Sequence, residues 1–113
     1  MIQIIDEINT LFSIPLNELD KNVSPITKAN YDAAVKFALT ISEDIRVPEI
    51  SSTPDGDVTF TWYNKENVLF TSIDFTNIIS YAAIINNKPT SGEIQFLDIF
   101  PLELLELLSF MEL

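Results

Sequence analysis

Residues 58–85 read VTFTWYNKENVLFTSIDFTNIISYAAII, and this stretch decides the fold. Its first residues, Val58–Tyr63, alternate between apolar side chains and threonine or tyrosine. A period of two is typical of a β-strand with one face buried. Two further apolar runs, Val68–Phe75 and Ile78–Ile85, predict a second and a third strand.

Polar segments separate these strands and precede the first of them. Thr53-Pro54-Asp55-Gly56 favours a turn, because proline presets the first turn angle and glycine tolerates a positive φ. Asn64–Asn67 predicts a hairpin loop, and Asp74–Asn77 predicts a second turn. We expect Asn86–Gly92 to form a loop, after which Glu93–Phe96 adds a short edge strand.

Three other segments predict helices. Residues 1–12 place apolar side chains three to four positions apart, which is the spacing of a short amphipathic helix. Ser24 and Pro25 suit the N-cap and the first helical position, and an apolar stripe behind them predicts a helix over Pro25–Asp44. A final leucine-rich helix is predicted over Leu102–Met111.

A small sheet with one apolar face needs a cover, and the predicted helices offer apolar stripes for that purpose. We therefore predict one α+β domain over residues 1–113, with an antiparallel meander of three to four strands and helices packed on one face. The predicted order is α-α-β-β-β-(β)-α. A chain of 113 residues is long enough to bury roughly two-thirds of its unfolded surface.

The middle of the chain carries a series of motifs in a fixed order. They are Ser24-Pro25-Ile26, Val47-Pro48-Glu49-Ile50, Thr53-Pro54-Asp55-Gly56, Val58–Trp62, Val68–Ile73 and Ile78–Tyr81. The series resembles a widespread group of small uncharacterised bacterial proteins with a helix, a Pro-Asp-Gly turn and a tryptophan-bearing strand that begins a meander. The resemblance covers roughly residues 16–85 and implies the fold rather than an activity. Where that group usually carries Gly-Trp-Asp before its helix, this chain has Leu16–Asp20.

The composition excludes several classes of catalytic site. The chain has no histidine and no cysteine, so it lacks a thiolate nucleophile, a Ser–His pair and an ordinary zinc site. Its two glycines do not form a phosphate-binding loop. We therefore predict a protein that is not an enzyme and that binds no cofactor and no metal.

The charge balance bears on partners and location. Seventeen acidic side chains against six basic ones give a net charge of -11, which disfavours direct contact with nucleic acid or an anionic membrane. No apolar run approaches the ~18–20 residues of a membrane span, and the first residues do not read as a signal peptide. We expect a cytoplasmic protein.

Two interpretations of the acidic charge remain open. It serves solubility alone, or it forms a surface that complements a basic partner. The second leads to the hypothesis of a small acidic protein-binding module that acts stoichiometrically. Such a protein is an inhibitor, an antitoxin, an immunity protein or an anti-CRISPR-like protein that occupies a basic, nucleic-acid-binding partner. The candidate contact residues are Asp55, Asp57, Tyr63, Glu66 and Asp74.

The aromatic pair in the first strand divides between the two sides of the sheet. Trp62 shares its side with Val58 and Phe60, so we expect it to be buried, whereas Tyr63 points outward as a possible interface anchor. The carboxylates of Asp55 and Asp57 allow a metal or catalytic pair together with Glu49. Ordinary turn chemistry is the favoured interpretation.

The last helix is apolar around most of its circumference, which is typical of a helix buried on more than one side. Its candidate docking residues are Leu102, Leu104, Leu105, Leu108 and Met111. Two interpretations stay open: the helix wedges inside the domain, or it mediates docking or homodimerisation. The second gives the alternative function, a non-catalytic homodimeric assembly or adaptor subunit.

Overall fold

A computed structural model describes residues 2–13 and 25–111, and an antiparallel sheet of five strands lies at its centre. The strands follow the same order in the sheet as in the chain. They are β1 (Glu49–Ser52), β2 (Val58–Asn64), β3 (Asn67–Ile73), β4 (Ile78–Ile85) and β5 (Lys88–Gln95). With three helices this gives the order α-α-β-β-β-β-β-α, and the α+β class is confirmed.

The predicted count of three to four strands is wrong, because β1 is present and β5 is twice as long as expected. The loop predicted over Asn86–Gly92 is a two-residue turn, and Lys88 already pairs with Ile85. Both turn residues, Asn86 and Asn87, have positive φ angles of 54° and 66°. Two such residues form a type I′ turn, whose twist matches that of the flanking strands.

The helices are α1 (Ile2–Phe12), α2 (Lys28–Ala38) and α3 (Leu102–Phe110). The first and last agree with the predictions, but the helix predicted over Pro25–Asp44 is too long at both ends. Thr27 caps α2, because its hydroxyl accepts a hydrogen bond from the Asn30 backbone N–H at 3.1 Å. Ser24, the predicted N-cap, lies outside the described residues.

The C-terminal end of α2 explains the rest of this error. The backbone N–H groups of Thr40 and Ile41 bond to carbonyls three residues back, which tightens the chain into turns. Ile41 is nevertheless buried and Ile45 is half-buried. The apolar spacing that looks helical in the sequence is therefore completed by turn residues that also face the core.

The three helices lie in a row on one face of the sheet, as predicted. α1 packs on β1 and α2, α2 packs on β2 and β3, and α3 packs on β4. The core between the layers contains mainly aliphatic and aromatic side chains, the largest of them Trp62, Phe37, Phe60, Ile4, Ile8, Ile41, Leu69, Ile73, Ile79 and Leu104. In the part of the chain that is described, no helix has the length and hydropathy of a membrane span.

Candidate functional site

The five predicted contact residues lie at two ends of the sheet. Asp55 and Asp57 precede β2, and Asp74 follows β3, so the antiparallel pairing brings these three to one end. Tyr63 and Glu66 lie at the other end, where β2 turns into β3. Seven residues of strand separate the two groups by roughly 20 Å. We call the first group the acidic end.

Asn30 of α2 organises the acidic end, and no sequence pattern indicates this role. Its side-chain amide donates to the Gly56 carbonyl oxygen at 3.1 Å and lies 3.4 Å from a carboxylate oxygen of Asp57. Its carbonyl oxygen accepts the Phe75 backbone N–H at 2.9 Å. The amide thus joins the two acidic turns through the start of α2. The partners lie 26 to 45 residues away in sequence, so no local pattern marks them.

The turn before β2 has the geometry that its sequence indicates. The Gly56 N–H bonds to the Thr53 carbonyl at 3.0 Å, and Gly56 has a φ of 88° that suits glycine. Asp57 follows it and is half-buried. Burial raises the pKa of Asp57, and the negative charges of Asp74 and Asp55 raise it further. These carboxylates therefore repel one another, and a cationic group placed among them would relieve that repulsion.

Glu49 does not join this group. It pairs with Thr61 at the far end of β1, whereas Ser52 at the near end pairs with Val58 beside Asp57. Across residues 2–13 and 25–111, no group of three or more acidic, histidine or cysteine side chains is arranged to hold a metal ion. Most of the described carboxylates are exposed, and Asp57 and Asp74 are half-buried.

The other end of the sheet presents Tyr63, whose outward orientation is confirmed by an exposed fraction of 54%. Trp62 is buried at 1% and donates its indole N–H to the Arg46 carbonyl oxygen at 2.7 Å. The Arg46 guanidinium in turn lies 3.4 Å from the Tyr63 carbonyl oxygen. The segment before β1 is thus fixed against β2, and the Tyr63 ring projects from a rigid support.

The structure divides the predicted docking residues of α3 between core and surface. Leu104, Leu108 and Met111 belong to the core. Leu102 is 68% exposed, and Leu105 is 38% exposed. The helix therefore packs inside the domain along one side and presents leucine to solvent along the other, and docking or homodimerisation through the exposed side stays a prediction.

An exposed apolar group that the sequence interpretation missed lies just before α3. Leu97 and Ile99 are 72% and 73% exposed, and with Leu102 they border a depression of about 270 Å³. We call these three residues the C-terminal apolar patch. The available signal was an apolar, acid-interrupted run directly before Pro101, too short for a strand and outside any helix.

The sheet face opposite the helices carries a second apolar surface. Phe70 of β3, Ile84 of β4 and Pro89 of β5 border a shallow depression of about 530 Å³. The side chains that line it carry no charge. None of the described helices lies on this face.

Comparisons with protein-family models, with curated proteins and with solved structures find no match to this chain. The resemblance to small bacterial proteins stays a prediction.

Proposed function

We propose that this protein is a small acidic binding module that acts by stoichiometric association. Its partner is a protein with a basic, nucleic-acid-binding surface, which the module occupies as an inhibitor, antitoxin, immunity or anti-CRISPR-like protein does. Nucleic acid itself and anionic membranes are poor partners for a chain of net charge -11.

The observation that carries this proposal is the lack of internal compensation for the negative charge. In the part of the chain that is described, one ion pair joins a base to an acid, Lys28 to Asp32 at 3.1 Å, and both side chains are largely exposed. The other acids among the described residues are exposed, except for Asp57 and Asp74, which are half-buried. Such a field steers a basic partner and raises its association rate.

Two groups of residues supply the proposed contact. The acidic end offers Asp55, Asp57 and Asp74, and the opposite end offers Tyr63 and Glu66. The half-buried position of Asp57 and its elevated pKa favour a cationic side chain at the acidic end. Tyrosine is a frequent anchor at protein interfaces because it offers a large rigid ring and a hydroxyl group.

The test compares two variants that carry the same change in net charge. One replaces Asp55, Asp57, Glu66 and Asp74 with lysine, and the other replaces the exposed acids Asp6, Glu7, Glu43 and Asp44. The partner captured from the native host is purified, and its affinity is measured over a range of salt concentrations. We expect the first variant to bind at least about tenfold more weakly, with a flatter salt dependence. Equal losses in the two variants would contradict the proposed contact residues, and indifference to charge and salt would contradict the function.

A homodimeric assembly or adaptor subunit is the second candidate function, and the exposed Leu102 and Leu105 of α3 favour it. Two copies that meet along this helix would also bring Glu103 and Glu106 of both copies together, which opposes association. Sedimentation of the wild type and of a Leu102→Glu, Leu105→Glu variant decides the matter. A dimer that the double variant loses without unfolding would favour assembly over the basic partner.

A further inference from the structure

The connection between β5 and α3 presents the most exposed aliphatic side chains of the described residues. Leu97 and Ile99 each expose more than 70% of their surface, although Phe96 and Phe100, which flank the segment 97–99, are buried and half-buried. Exposed single apolar residues are common, but a cluster of large ones marks an interaction surface. Leu97 and Ile99 therefore mark a candidate interaction surface.

Aromatic contacts hold this connection in a fixed conformation. The Phe37 ring of α2 lies 5.7 Å from the ring of Phe96 and 5.6 Å from the ring of Phe100. The Phe96 backbone N–H also bonds to the Asn77 carbonyl at 2.8 Å. Both ends of the segment are thus anchored, so the backbone that carries Leu97 and Ile99 has little conformational entropy left to lose on binding.

The C-terminal apolar patch borders a depression in the surface. Its lining includes Ile94 and Phe100, and Leu102 of α3 lies at its border. The volume of about 270 Å³ is enough for one or two apolar side chains of a partner. A flat surface would offer less shape complementarity to an inserted side chain.

The charged residues of the segment that carries the patch are all acidic. Asp98 lies between Leu97 and Ile99, and Glu103 lines the same depression. No lysine or arginine occurs between Pro89 and Met111. An apolar centre with an acidic border is complementary to apolar side chains flanked by lysine or arginine, and it is repelled by a second copy of itself.

We propose that the C-terminal apolar patch docks a cationic amphipathic segment of the basic partner. An apolar side chain of that segment enters the depression between Leu97, Ile99 and Leu102. Its lysine or arginine side chains lie against Asp98 and Glu103. This inference rests on the proposed function and identifies the partner's segment by its chemistry.

The test uses three synthetic peptides of roughly 18 residues and measures their binding to the full chain by fluorescence anisotropy. The first contains leucine and lysine spaced as an amphipathic helix. The second has the same composition in an order without amphipathic spacing, and the third replaces lysine with glutamate. We expect the first peptide to bind at least about tenfold more tightly than either of the others.

Three variants then locate the site. Leu97→Ser with Ile99→Ser is expected to weaken binding of the first peptide about tenfold. Asp98→Asn with Glu103→Gln is expected to weaken it several-fold and to flatten its salt dependence. Leu39→Ser, which changes a leucine that is 58% exposed at the end of α2, is the control and is expected to leave binding unchanged.

The outcomes distinguish this inference from the function on which it rests. If the amphipathic peptide binds and the Leu97→Ser, Ile99→Ser variant binds it equally well, the patch is not the docking site although the acidic module stands. If none of the lysine peptides binds and the captured partner is also indifferent to charge, both proposals fail. Wild-type self-association that disappears in the same variant would assign the patch to a second copy and overturn the inference.

Discussion

The side-chain amide of Asn30 donates a hydrogen bond to the Gly56 carbonyl oxygen at 3.1 Å, and this bond ties the start of α2 to the turn before β2. The same side chain accepts the Phe75 backbone N–H. Because Asn30 is only 6% exposed, water does not readily replace either partner. One amide therefore fixes the relative positions of Asp57 and Asp74, on which the proposed charged contact depends.

Replacement of Asn30 by alanine is expected to lower the free energy of unfolding by about 2–3 kcal/mol. The cost arises because a backbone carbonyl and a backbone N–H lose their partner in a largely buried place. Denaturant unfolding measures it. Lys36→Ala, on the exposed side of the same helix, is the control and should change stability by less than about 0.5 kcal/mol. If Asn30→Ala also lowers the free energy of unfolding by less than about 0.5 kcal/mol, water must replace the amide as hydrogen-bond partner of the Gly56 carbonyl and the Phe75 N–H.

The half-buried Asp57 predicts a specific pH dependence. Its folded-state pKa lies above the ordinary value of 3.8, so the protonated form favours the folded state. This contribution is fully present below pH 3.8 and is lost as the pH rises through the folded-state pKa. Asp57→Asn should therefore be more stable than the wild type at neutral pH, and the difference should shrink as the pH falls towards 3.8.

Denaturant unfolding of both proteins at several pH values tests this prediction. Asp6→Asn removes one negative charge from an exposed position of α1 and controls for the change in net charge. If Asp6→Asn stabilises the protein as much as Asp57→Asn at neutral pH, the effect belongs to the overall charge and not to the environment of Asp57.

The sequence predicts the centre of the sheet well and its edges poorly. Alternation in Val58–Tyr63 marks β2 because one face of a central strand is buried throughout. β5 lacks this signal, since Lys88–Gly92 contains proline, glycine and polar residues that an edge strand accepts. Gly92 has a role that only the fold reveals: a Cβ atom there would lie 2.8 Å from the Tyr81 hydroxyl oxygen, because the tyrosine ring crosses the glycine.

The candidate site was predictable in its chemistry and not in its geometry. The acidic residues are plain in the sequence, but their division between two ends of the sheet follows from the strand pairing of β2 with β3. The buried side of α3 is equally hidden, because leucine occupies both sides of that helix. Contacts with β4 decide that Leu104 is core while Leu102 is surface.

The conformation of the turn between β4 and β5 predicts how substitutions at Asn87 change the stability of the protein. Asn87 has a φ of 66°, a conformation that glycine adopts without strain and that β-branched residues strongly disfavour. Asn87→Gly is expected to raise the free energy of unfolding by about 0.5 kcal/mol, and Asn87→Val to lower it by about 1–2 kcal/mol. Thermal unfolding measures both. Equal effects of the two substitutions would mean that the turn adopts another conformation.

Two leucines of α3, Leu104 and Leu102, provide the sharpest test of which side of that helix is buried. Leu104→Ala removes a side chain that is fully buried against the sheet, and it should lower the free energy of unfolding by about 3 kcal/mol. Leu102→Ala makes the same chemical change at a position that is 68% exposed and should alter stability by less than about 0.5 kcal/mol.

Fluorescence of Trp62, the one tryptophan of the chain, reports unfolding in both variants because its ring is buried in the folded state. A helix docked through the opposite side would reverse the order of the two losses. A dimer held together by Leu102 would make the loss at that position depend on protein concentration, whereas the loss at Leu104 would not. The free energy of unfolding of both variants is therefore measured at two protein concentrations about a hundredfold apart. A loss at Leu102 that depends on concentration indicates a homodimer, whereas a loss that does not depend on it leaves Leu102 free to contact a basic partner.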